Sequence, residues 1–97
     1  MSALRFITKE KASLEVYGRA ETIIADLRNL SQTGACVEWV QNNVNLQKGD
    51  LIRITVFLKT LNRRHNLNGE IVWREGNKSG INFINSDQVL EKIVEKT

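Results

Sequence analysis

From Lys11 to Val16, apolar Ala12, Leu14 and Val16 alternate with polar Lys11, Ser13 and Glu15, the period of a half-buried strand. After a turn at "YGR" (17–19), residues 20–27, "AETIIADL", predict a second strand with Ile23, Ala25 and Leu27 on one face. A short polar cluster follows, and then Ala35, Val37 and Trp39 alternate with Cys36 and Glu38 in a third. The polar stretch 41–50 ends in Lys48-Gly49-Asp50, a turn into a fourth strand in which Ile52, Ile54 and Val56 alternate with Arg53 and Thr55. "KTLNRRHNLN" reads as the tip of a long hairpin, whose return strand places Leu67, Gly69, Ile71 and Trp73 on one face. "REGNKSG" turns the chain again, and "INFI" closes the strand series with Ile81 and Phe83 inward.

Beyond Ser86 the period changes. Val89, Leu90, Ile93 and Val94 form a stripe opposite Glu91, Lys92, Glu95 and Lys96, which predicts one amphipathic helix. Ser86 is its expected N-cap, and Asp87 suits the positive end of its dipole. Six short alternating strands separated by turn signals predict an all-β fold, a closed antiparallel barrel, with the helix expected over one mouth. Closure also removes exposed sheet edges.

The 97 residues fit one domain with one modest core. Apolar residues at 41% and charged residues at 26% match ordinary globular usage, which argues against disorder. The net charge of +3 suits an anionic partner. Cys36 is the sole cysteine and His65 the sole histidine, so an intrachain disulfide and a Cys or multi-His metal cluster are excluded. No apolar run reaches the ~20 residues that span a bilayer. "MSALRFITKEK" has no secretory apolar stretch, so the expectation is a reduced, cytoplasmic protein without membrane insertion.

Catalysis finds little support. His65 lies in the basic hairpin tip with no Cys or Ser partner near it in sequence, and Cys36 has no adjoining base to lower its pKa. No phosphate-cradling G-x-x-x-x-G-K-S/T loop occurs. Cations gather instead at Arg5, Lys9 and Lys11 and at Arg63, Arg64 and His65. The polar cluster, "RNLSQTGACVEW", holds Asn29, Ser31 and Gly34 at N-x-S-x-x-G spacing. Two readings of it stand: a turn in which Asn29 and Ser31 cap their own backbone groups, or a ledge that presents them to a ligand. Nucleotides suit the second, since guanidinium forks pair with phosphate and with the O6/N7 edge of guanine while short Asn and Ser side chains take the remaining polar atoms.

Arg5 with a basic residue at position 9, then Asn29-x-Ser31-x-x-Gly34 and "GACVE", resembles the PilZ domain family of bacterial cyclic di-GMP receptors. "KGDLIRITVFL" is similar to that family's fourth strand and "NGEIVWREGNKSGINFI" to its closing pair, so the resemblance covers nearly the whole chain. It implies a single PilZ-type domain over 1–97: a mobile ligand-binding segment at 1–10, a six-stranded antiparallel β-barrel at 11–85 and a C-terminal α-helix at 86–97. It further implies a non-enzymatic receptor that binds cyclic di-GMP on the outside of the barrel, needs no cofactor, and passes the signal to an unidentified downstream protein. Position by position, Arg5, Asn29, Ser31 and Gly34 match the family's motif residues. Lys9 stands where the second arginine belongs. It keeps the charge but loses the bidentate fork and flat face, a contact worth ~1–3 kcal/mol and about five- to over a hundredfold in affinity.

Two further readings follow. Lys9 motivates a degenerate PilZ-like protein-interaction adaptor that binds no nucleotide. An RNA- or single-stranded-DNA-binding barrel would need exposed aromatic platforms, whereas the alternation places both Trp39 and Trp73 inward, so nucleic acid is not expected as a partner.

Overall fold

The structure, a computed structural model, describes residues 5–7, 10–58 and 63–96. Among these residues seven strands and one helix follow in chain order: β1 (Arg5–Ile7), β2 (Lys11–Val16), β3 (Thr22–Ser31), β4 (Gly34–Glu38), β5 (Leu51–Leu58), β6 (Arg63–Glu75), β7 (Lys78–Ile84) and α1 (Ser86–Lys96). Every pairing is antiparallel, and the sheet closes on itself because β3 pairs with both β2 and β4. The circuit β2–β5–β6–β7–β4–β3 is the expected six-stranded barrel. β1 is an addition to it. Ile7 pairs with Asn29 and Lys11 with Asp26, so β1 and β2 follow one another along the same edge of β3 with their registers offset by one residue.

Period-two alternation fills the interior. Leu14, Leu27, Val37, Ile52, Ile54 and Ile71 are fully buried, and each such aliphatic side chain contributes about 1.5–3 kcal/mol relative to an exposed position. Trp39 and Leu46 belong to the same cluster. Arg74 secures the loop that carries Leu46: its Nη1 donates to the carbonyls of Val44 at 2.7 Å and Leu46 at 2.9 Å, and the guanidinium lies over the Trp39 ring, 5.0 Å from its centroid.

The helix departs from expectation in two ways. It covers the outer wall of the barrel, where Val89 packs with Leu51 and Ile84 in a separate cluster supported by Ile93. Leu51 points outward because its neighbour Ile52 points in, and this second apolar patch on the wall decides where the helix docks. Its N-cap is Asn85. The Asn85 carbonyl accepts the Val89 amide at 3.1 Å, and Asn85 and Gln88 exchange reciprocal side-chain to backbone bonds at 2.9 and 3.0 Å, a capping box one residue upstream of Ser86.

Candidate functional site

Asn29 lies within β3, two residues before its end, and not in a turn. Its cross-strand partner is Cys36; Cys36 pairs with Gly80, and Gly80 with Trp73. These four residues therefore form one row across the outer wall on β3, β4, β7 and β6. A parallel row begins with Arg5 opposite Ser31 and continues on the neighbouring strands with Gly34 opposite Asn82 and Asn82 opposite Glu70. Strands lie about 4.8 Å apart, so Asn29 and Trp73 stand about 14 Å from each other.

Between the two walls the floor is made of small residues, Gly34, Cys36 and Gly80, leaving a cleft of about 390 Å³ rimmed by Asn29, Ser31, Trp73 and Asn82. Both glycines are required by close approach. A Cβ on Gly34 would stand 2.2 Å from the Ile81 carbonyl oxygen, and one on Gly80 would stand 2.0 Å from Trp73 Nε1. The indole thus lies directly against the backbone of Gly80, yet the residue remains 41% exposed.

Trp73 corrects the expected inward placement. A register shift between Ile71 and Trp73 breaks the alternation of β6, so Ile71 stays in the core while Trp73 emerges on the cleft. A similar shift between Leu27 and Asn29 turns Asn29 to the outer row while Leu27 remains buried. Trp39 is buried as expected.

The motif residues divide by role. The Ser31 hydroxyl accepts from the amides of Thr33 and Gly34, both at 3.2 Å, and lies 3.3 Å from the Gly34 carbonyl and from Thr33 Oγ1. Ser31 is thus a turn-capping residue as well as part of the rim. The half-buried Asn29 amide makes no side-chain hydrogen bond among the described residues. Two donors and an acceptor at the cleft wall are therefore open to a ligand. Arg5 enters the row through the backbone of β1; Lys9 lies outside the described residues. Cys36, Asn82 and Trp73 were not foreseen as site residues. Composition carried no signal for them, and only the lateral pairing of β4, β7 and β6 brings them to Asn29.

Nearby cations are partly neutralised within the fold: Arg28 lies 3.4 Å from Glu38, Lys11 pairs with Asp26, and Lys92 of the helix reaches Glu70 at 3.1 Å. Among the described residues no group of three His, Cys, Asp or Glu side chains is placed to hold a metal ion.

The model of the PilZ domain family matches residues 2–96. No curated protein matches the chain. Among solved structures, the PilZ domain of CeSA from a cellulose-synthesizing bacterium superimposes with a TM-score of 0.71 at 14% identity, covering 95% of this chain and 92% of that one. The Bacillus subtilis inhibitor of motility, MotI/DgrA, gives 0.67 at 13% identity, with 99% of this chain matched to 51% of that one. An uncharacterized Legionella protein, Lpg0364, gives 0.54 at 15% identity over 96% of each chain. At these identities the structural likenesses speak for the fold, while the family match spans almost every residue: the chain belongs to the PilZ domain family.

Proposed function

We propose that this protein is a non-enzymatic cyclic di-GMP receptor whose ligand lies in the cleft between Asn29 and Trp73. The observation that carries the reading is the half-buried Asn29 amide, without a side-chain hydrogen bond among the described residues, facing an exposed indole across a floor of small residues, with Arg5 paired to Ser31 at the cleft's edge. Each group has a task. A guanine stacks on the open face of Trp73, and the Asn29 amide bonds to base or phosphate atoms. The guanidinium of Arg5 takes phosphate or a guanine edge in its planar fork. Gly34 and Gly80 let the neighbouring strand and the indole pack closely enough to give the cleft its shape.

In this reading the segment 1–10 closes over the nucleotide, with Lys9 adding a second cation, and the altered surface is what a downstream protein reads. One structural neighbour carries the name of an inhibitor of motility, a regulatory output of this general kind. In this reading the protein works in the cytoplasm. Among the described residues lining the cleft, Trp73 offers one stacking position, whereas a nucleic-acid strand needs a succession of them.

Calorimetric titration with cyclic di-GMP tests the proposal directly. Saturable binding in the micromolar range or tighter is expected, and silence at high micromolar ligand refutes it. The alternative, an adaptor that docks a protein without nucleotide, draws on Lys9 and on the Ser31 hydroxyl being engaged within its own turn. A Lys9→Arg variant separates the two: a gain in affinity marks a weakened receptor, and continued silence marks an adaptor.

A further inference from the structure

Trp73 and Val72 wall a second cleft on their other side. It measures about 690 Å³ and is completed by Leu46, Gln47, Lys48 and Arg74. The two clefts share Trp73 and Val72, so a base stacked on the indole sits at the junction between them. We propose that Lys48 is a phosphate-binding residue of the ligand surface, lying across Trp73 from the Asn29–Ser31 ledge. This proposal rests on the receptor reading above.

The support is positional and electrostatic. The turn that presents Lys48 is held on both sides. Gln47 donates its amide to Asp50 Oδ2 at 2.8 Å, and Asp50 returns its own amide to the Gln47 carbonyl at 3.0 Å. Gly49 donates to the Ile71 carbonyl at 2.7 Å and Ile71 to the Asp50 carbonyl at 2.9 Å, which ties the turn to β6 two residues before Trp73. Leu46, fully buried, anchors the preceding position.

The second cleft has two cations. Arg74 is committed: its Nη1 serves two loop carbonyls, its Nε serves the Gly76 carbonyl at 3.0 Å, and its face covers Trp39. Lys48 is exposed and makes no side-chain hydrogen bond or ion pair among the described residues. A cyclic dinucleotide carries two phosphates. With one drawn toward Arg5, the other requires a counter-charge, and a mobile ammonium on a fixed turn is suited to a phosphate approached from one side. The phosphate at Lys48 belongs either to the same dinucleotide or to a second copy lying beyond the indole.

The test is calorimetric titration of cyclic di-GMP into the wild-type chain and into Lys48→Ala, Lys48→Glu and Arg64→Ala variants, with thermal melts to verify folding. Loss of one charge-assisted contact weakens binding by about tenfold in Lys48→Ala, and charge reversal weakens it further. Arg64→Ala leaves it unchanged, because Arg64 stacks on Phe57, 5.1 Å from the ring centroid, away from both clefts. Weakened binding at unchanged stoichiometry assigns the phosphate to a single dinucleotide, and a stoichiometry lowered by one assigns it to a second. Wild-type affinity and stoichiometry in Lys48→Glu overturn the role of Lys48 and leave the receptor reading standing. Absence of binding by the wild type overturns both.

Discussion

Arg5 is the direct cross-strand neighbour of Ser31. The pairing joins the first motif of the chain to the second through backbone register, before any side-chain contact is considered. It brings the backbone of Arg5 beside the turn that Ser31 caps, next to the cleft that Asn29 lines.

Arg5→Ala and Asn29→Ala should each weaken cyclic di-GMP binding by about tenfold or more, since each removes a charged or desolvated hydrogen-bonding partner. The melting temperature should hardly move, because Asn29 makes no side-chain hydrogen bond among the described residues and β1 lies outside the barrel circuit. Calorimetry paired with a thermal melt checks both halves of this expectation.

Ser31→Ala should behave differently. Two backbone amides lose the hydroxyl that accepts from them, a cost of about 1 kcal/mol. In a domain of this size that corresponds to a fall in Tm of about 4–8 °C. A binding defect accompanied by a stability defect is the expected signature, in contrast to Asn29→Ala.

The two tryptophans should report separately. Trp39 is 2% exposed and Trp73 41%. Cyclic di-GMP should quench the fluorescence of Trp73 by stacking, so the response should survive Trp39→Phe and vanish in Trp73→Ala. Loss of the stack should cost about 1–3 kcal/mol. A ligand response that persists without Trp73 would remove the indole from the site.

Gly80→Ala should damage the same wall without deleting it. The added methyl would stand 2.0 Å from Trp73 Nε1, so the indole must leave its seat. Binding should fall to the level of Trp73→Ala. Gly34→Ala should chiefly destabilise, because its methyl would meet backbone at 2.2 Å, which has less freedom to yield; the expected loss is on the order of 1–3 kcal/mol, read as a lowered denaturation midpoint.

Much of this was legible in advance. The alternation of Ala12, Leu14 and Val16 and of Ile52, Ile54 and Val56 reports which face meets the core, because neighbouring strand residues must point to opposite sides. The helix was legible from its stripe, although Asn85 takes the cap in place of Ser86 and Leu51 and Ile84 draw it to the wall instead of the mouth. The motif residues Asn29, Ser31 and Gly34 were legible as a cluster, but their division into a turn cap, a floor and an open amide was not.

By itself, the order of apolar and polar residues determined the barrel strands, the core that fills the barrel and the terminal helix, since each depends on neighbours within a few positions. The cleft was decided by tertiary structure. Asn29 and Trp73 are 44 residues apart in sequence (73 − 29) and meet across one surface because β3, β4, β7 and β6 pair in one register. A shift in that register after Ile71 turns Trp73 from the core to the surface. Lateral pairing between distant strands, and the bulges that reset it, leave no period in the local sequence because they are set by hydrogen bonds to partners that the local sequence does not contain.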